Sequence, residues 1–185
     1  MKIALCLHGL VGTDDKYGAG DKIINYKVGL KHFQEHVFDV NESVDVFFHT
    51  WSTESEDKLA TAYKPIAHIA EKQPFYSDKL RTQAIHCRWE SANKVINLVK
   101  NTKIEYDFVL LTRFDIAFLV DFDFNKYDNS KFYAQGPVGP ASNGVNLIND
   151  LWFFANLDNM SKFCDLYHRL GEAKYQSHMD SNHEL

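Results

Sequence analysis

The chain has 185 residues, enough for one domain with a real core, and 45% of them are hydrophobic. No apolar run approaches the length of a membrane span, and the net charge of −5 comes without a basic block. These totals argue against a membrane span and against a nucleic-acid surface. They leave room for a nucleotide, which needs only a few local donors and a metal ion. Three scattered cysteines, Cys6, Cys87 and Cys164, lack metal-site spacing and are expected as free thiols in a reducing, cytoplasmic compartment.

In chain order, Lys2 to His8 is a short apolar run that stops at glycine, too short for a signal peptide, and predicts a buried first strand. Gly9 to Gly20 is a polar loop. Its glycines give neither a Walker pattern nor GxGxxG, so they read as turn glycines, with Gly9 alone placed near a ligand. From Asp21, a plausible N-cap, to Phe38 the apolar spacing predicts an amphipathic helix. Val44 to Thr50 predicts a second strand, "STESED" the cap of a short helix, and Lys64 to Glu71 a third strand, in which Pro65 favours the strand's start or an edge. A long helix is expected from about Ser77 to Val99, and a fourth strand from Asp107 towards Phe118. "AFLVDFDF" and "KFYAQG" read as short β pieces, Gly136 to Gly144 as a turn-rich loop, Asp150 to Asn156 as a strand, and "NMSKFCDLYHRL" as a helix. The alternation predicts an α/β fold with a mostly parallel, Rossmann-like central sheet flanked by helices and a more β-rich C-terminal part.

Ligands of such sheets sit outside the carboxyl ends of the strands. Those ends are His8-Gly9, His49-Thr50-Trp51 and Arg113-Phe114-Asp115. Two residues apart on an extended chain, Arg113 and Asp115 point the same way. Asp115 suits a hard divalent ion, and Arg113 suits a phosphate or that carboxylate. An internal Arg–Asp pair without metal accounts for the spacing equally well. Trp51 is either a rim aromatic that packs or a surface for base stacking. His8 and His49 are either hydrogen-bonded core histidines or ligand contacts. The literal DxD at Asp121-Phe122-Asp123 lies among polar residues and reads as a solvated turn, so Asp115 is favoured over it. Asp150 is either a strand-start cap or an acceptor-side residue, including a general base.

Three segments taken in order carry a resemblance. Asp45-Val46-Phe47-Phe48-His49-Thr50-Trp51, then Tyr106-Asp107 through Arg113-Phe114-Asp115, then Asp150-Leu151-Trp152-Phe153-Phe154 resemble a family of small GT-A-type glycosyltransferases of bacterial polysaccharide loci and large DNA viruses. In that family an arginine-x-aspartate segment stands in for the DxD motif. The resemblance runs from Lys2 to about Met160. It implies a nucleotide-sugar donor, a glycan or other hydroxyl acceptor, and Mn²⁺ or Mg²⁺ at Asp115. It also implies donor contacts from His8, Gly9, His49, Thr50, Trp51 and Arg113. "IHCRWESANK" matches a helix that faces the donor in the family, which adds Arg88 and Ser91, three apart on one face. A C-terminal histidine completes the metal site in many GT-A enzymes, which points to His183; a frayed tail accounts for that segment equally well. Family members continue beyond the point equivalent to Leu185, so an abbreviated acceptor side is expected here. The implied layout is one domain, 1–185, with a nucleotide-binding half at 1–115 and an acceptor-side half at 116–185. The rival expectations are a nucleotide-sugar-binding domain without turnover and, ranked last, a nucleotidyltransferase.

Overall fold

A computed structural model describes residues 1–11, 26–140 and 146–172, with the side chains of 137–140 and 146–148 left aside. The elements are β1 (Lys2–Gly9), α1 (Tyr26–Phe33), β2 (Ser43–Thr50), α2 (Glu56–Tyr63), β3 (Ala67–Ala70), α3 (Leu80–Thr102), β4 (Phe108–Arg113), β5 (Tyr133–Ala134), β6 (Pro137–Pro140), β7 (Asn146–Ile148), β8 (Trp152–Ala155) and α4 (Leu157–Cys164). The central sheet runs β3-β2-β1-β4-β8-β5. Its first four strands are mutually parallel; β8 runs antiparallel to β4 and β5. The expected α/β architecture is therefore present.

The pleat divides the core. Ile3, Leu5 and Leu7 of β1 join Val46, Phe48, Phe108 and Leu110 on the face covered by α1 and α2. Ala4 and Cys6 join Phe47, Val109 and Leu111 on the face covered by α3 and α4. Alternate side chains of a strand point to opposite faces, so a strand buried on both reads as an unbroken apolar run. All three cysteines are buried and free.

The strand starts are tied together at the amino-terminal rim. The Lys2 backbone N–H donates to Asp107 (2.7 Å), and the Tyr106 hydroxyl donates to Asp45 (2.8 Å). Asp45, Tyr106 and Asp107 therefore align β1, β2 and β4 at the end opposite the candidate site.

Several expectations need correction. The helix expected over 21–38 is seen from Tyr26, continues beyond Phe33 as a π-turn over Gln34–Phe38, and its Asp21 cap lies outside the described residues. The long helix starts at Leu80, not Ser77. The Gln83 side chain reaches back to accept the N–H groups of Tyr76 (2.7 Å) and Ser77 (3.2 Å), which holds that stretch out of the helix. "AFLVDFDF" is not a strand. Its Phe122 N–H donates to the His36 carbonyl (2.9 Å) and its Phe124 N–H to the Asn41 side chain (3.2 Å), so no strand neighbour is engaged. The loop expected at 136–144 contains β6, which pairs with β7.

Gly29 of α1 is buried against the turn that follows β4. A Cβ there would lie inside the van der Waals envelope of the Phe114 carbonyl oxygen and 3.3 Å from that of Ile116. In an exposed helix Gly→Ala stabilises by about 1 kcal/mol. Here the clash reverses the sign: Gly29→Ala is expected to destabilise by about 1–3 kcal/mol, read as a lower urea midpoint.

Candidate functional site

Strand register builds the site. In the parallel ladders His8 pairs with His49 on one side and with Arg113 on the other. By the alternation of the pleat, all three side chains belong to the α3 face at the carboxyl ends of the strands. The predicted convergence of the three strand ends is present.

Beyond Arg113 the chain is not extended. β4 ends there, and Phe114-Asp115 form a turn. Phe114 is fully buried, and driving it into the core swings Asp115 back over Arg113. Arg113 Nε donates to Asp115 Oδ1 at 2.8 Å, and Nη2 donates to Oδ2, making a bidentate pair. From α3, Arg88 makes a second pair with Asp150, through both its carboxylate and its backbone carbonyl. Burial, and then the nearby Arg113 charge, lower the Arg88 pKa to about 10. Two arginines thus crowd one rim, each held by one aspartate. Asp150 is the most open of the four, its side chain 58% exposed.

Beneath this rim lies a buried polar chain. The Gly9 N–H donates to Ser91 Oγ (2.9 Å), and Ser91 Oγ lies 2.7 Å from His49 Nδ1. His49 Nε2 faces Glu71 at 3.1 Å. A carboxylate only accepts, so Nε2 carries the proton and the Ser91 hydroxyl donates to Nδ1. Lys94 closes the far end, bonding Glu71 and Glu90. Serine, histidine and glutamate in this order have the residue types of a nucleophilic triad. Ser91 is fully buried, however, and its oxygen already accepts the Gly9 N–H. The chain is a strut: it fixes the ends of β1 and β2 to α3.

The remaining predicted residues divide by access. Gly9 has φ +99°, a left-handed turn that glycine tolerates, with open space where a Cβ would be. His49, Thr50 and Trp51 are buried. Trp51 donates from Nε1 to the Cys87 carbonyl (3.2 Å), with Lys94 over its ring, so it packs inside the fold and offers no open face for stacking. Ser91 likewise faces the strand ends. His183 lies outside the described residues. Sequence reasoning missed Glu71 and Lys94; both lie within elements it had drawn, the third strand and the long helix, but only the closed fold brings them to His49.

Asp115 has two carboxylate oxygens, both paired with Arg113, that a cation would take in exchange. Among the described residues no histidine, cysteine, aspartate or glutamate groups with it as a ready cage. Mg²⁺-type ions on phosphates need only one or two carboxylates, with water and the phosphates completing the shell. The donor set fits that mode and not a closed all-protein site.

His8 is buried, and its Nδ1 has no partner among the described residues. Burial, then the charges of Arg88 and Arg113, hold its pKa well below the usual histidine value. Burial also lowers that of His49, against the pull of Glu71. Both therefore stay neutral in the fold, while the unfolded chain protonates near its ordinary pKa of about 6.5. Stability is full above that pH and falls as pH drops below it, by at most about 1.4 kcal/mol per pH unit for each histidine. Urea unfolding between pH 7.5 and 5 should show the decline, and His8→Asn should flatten it. Ser91→Ala removes the partner of the Gly9 N–H and the donor to His49. It should cost about 1–3 kcal/mol in the same measurement.

No protein-family model and no curated protein matches the chain in sequence. Solved structures do resemble it. Bifunctional IspDF from Campylobacter jejuni is 10% identical, with a TM-score of 0.52 over 89% of this chain and 43% of that one. The 4-diphosphocytidyl-2C-methyl-D-erythritol synthase of Anaerococcus prevotii is 9% identical, with a TM-score of 0.48 over 96% and 80% of the two chains. The apo form of the glycosyltransferase GlyE from Streptococcus pneumoniae is 9% identical, with a TM-score of 0.48 over 98% and 40%. The chain spans less than half the length of the IspDF and GlyE chains. At 10% identity, the likeness to bifunctional IspDF is one of fold.

Proposed function

We propose that the chain is a nucleotide-sugar-dependent glycosyltransferase, moving a hexosyl or deoxyhexosyl group from a nucleotide diphosphate donor to a glycan or related hydroxyl acceptor. The observation that carries this reading is the placement of two arginine–aspartate pairs, Arg113 with Asp115 and Arg88 with Asp150, at the carboxyl ends of the parallel strands. A guanidinium takes phosphate oxygens bidentately, so an anion with several oxygens can exchange for the two carboxylates. The strand-end position is where ligands of such sheets bind. In this reading residues 1–115 carry the donor side and 116–185 the acceptor side.

The two ion pairs give the residues their roles. Donor phosphates compete with Asp115 for Arg113 and with Asp150 for Arg88. Asp115 freed in this way is the residue to hold Mn²⁺ or Mg²⁺, which when bound offsets charge on the diphosphate leaving group. Asp150 freed from Arg88 is an exposed carboxylate with an open lone pair. It is the residue to take the proton of the acceptor hydroxyl. His8 and Gly9 form the floor beside the donor, and Gly9 leaves room for its close approach. Ser91, His49, Thr50 and Trp51 hold that floor in place. Mutual satisfaction of the two Arg–Asp pairs also suits a second reading, a domain that binds the donor without turnover.

Thermal-shift measurements against nucleoside diphosphates and nucleotide sugars, with and without Mn²⁺, test the first step. A ligand at a hundredfold its Kd should stabilise the chain by about 2.7 kcal/mol, several degrees in Tm. The shift should require Mn²⁺ and vanish in Asp115→Ala and Arg113→Ala. No shift with any ligand would leave the two pairs as structural bonds and sink the reading. Among donors that bind, hydrolysis or transfer of the sugar separates an enzyme from a binding domain. Asp150→Asn should cut transfer at least a hundredfold while sparing the thermal shift. Pyrophosphate release from a nucleoside triphosphate and a sugar phosphate would instead mark a nucleotidyltransferase.

A further inference from the structure

We infer that His32, Glu35 and His36 form a second metal site, built for Zn²⁺ or a similar transition-metal ion and separate from Asp115. The three lie where α1 passes into the π-turn, a transition that often marks a functional position. Spacings of three and four place them on one helix face, while Phe33 and Val37 are buried beneath. Each offers one ligand atom, all within 4.8 Å of one another, and they are the one group of this kind among the described residues. The two imidazoles lie nearly parallel, 22° apart with centroids at 5.9 Å. Modest side-chain rotation closes them on an ion.

The stronger argument is tautomeric. His32 Nδ1 lies 2.7 Å from the Phe118 carbonyl, and His36 Nδ1 lies 2.8 Å from the Asp121 carboxylate. Both partners only accept, so each ring carries its proton on Nδ1 and keeps the Nε2 lone pair for a ligand. Metal-binding histidines are held in this way, donating the second ring N–H to a carbonyl or carboxylate that fixes the ring and raises its basicity. Asp121, which belongs to the literal DxD, thereby has a use as the outer carboxylate of His36. Two imidazoles and one carboxylate suit Zn²⁺, with water in the fourth position, better than they suit Mg²⁺ or Ca²⁺. Among the described residues Glu35 meets only Lys31, at 3.7 Å, and both are exposed, a pairing weak enough to yield to an ion.

The site would clip the segment after Asp115 to α1. Phe118 and Asp121 lie on that segment, and the Phe122 N–H already donates to the His36 carbonyl at 2.9 Å. An ion on the two rings fixes their orientation and, through Nδ1, the loop that leads away from Asp115. Its role is structural.

The test uses the full chain, stripped with a chelator and titrated with Zn²⁺ alone by calorimetry and with Co²⁺ by visible absorption, without nucleotide. Wild type should take up one equivalent, give the absorption of tetrahedral Co²⁺, and rise in Tm. His32→Gln and His36→Gln should each weaken binding more than tenfold, and Asp121→Asn should weaken it about tenfold. Asp115→Asn should leave it unchanged, which separates this site from the donor site. Glu35→Gln, at an exposed position that does not threaten folding, should weaken binding and alter the Co²⁺ band. Absence of binding by wild type would overturn the assignment. So would binding that survives in His32→Gln, His36→Gln and Glu35→Gln, which would place the ion on other histidines.

Discussion

The parallel ladder around β1 is the constraint on which the rest of the site depends. β1 is hydrogen-bonded on both sides, and its register puts His49, His8 and Arg113 abreast across three strands. A slip of one residue in either pairing would turn a whole strand's side chains to the other face. Asp45, Tyr106 and Asp107 guard against this at one rim, and Ser91 does so at the other. Polar groups at both ends of an apolar sheet therefore specify alignment, while the phenylalanines and aliphatic residues between them supply the bulk of the burial.

At the rim itself charge is present and neutralised in place. Arg113 with Asp115 and Arg88 with Asp150 make two adjacent ion pairs, partly shielded from water. A ligand that engages only one member leaves its partner uncompensated, which is costly where solvent is limited. In the proposed reading, a ligand that brings both an anion and a cation satisfies the two arginines and Asp115 and leaves only the more exposed Asp150 open. In that reading the arrangement discriminates by composition: a bare phosphate or a bare cation would meet a penalty that the two together avoid.

Much of the architecture was legible because the strands obey simple rules. Lys2–Gly9 and Phe108–Arg113 are continuous apolar runs of strand length, and their polar ends marked the rim. What escaped depended on contacts distant in sequence. Asp115 was expected to lie beside Arg113 on an extended strand, whereas burial of Phe114 makes a turn there. Phe118, Phe122 and Phe124 look like strand residues, yet each enters the α1-side core separately while Leu119 and Val120 stay exposed. Trp51 could not be assigned to core or rim from its neighbours alone; Cys87 and Lys94, far along the chain, decide it. His32 and His36 carry no signal in the sequence, because the groups that set their tautomers lie about 85 residues later.

The sheet also ends cautiously on both sides. At one border β3 offers only Ala67–Ala70, and Pro65 precedes it; at the other, β5 offers only Tyr133–Ala134. Strand borders are where a foreign chain can add itself by backbone pairing, and brevity is one way to refuse it. Beside β5, Asn156 donates to the Asn129 carbonyl (2.8 Å) and Asn159 to that of Ser130 (3.3 Å), so nearby acceptors are already occupied. A neighbouring chain would find little on either flank from which to nucleate an intermolecular sheet. The long, sticky strands at the centre can thus be as hydrophobic as the core requires.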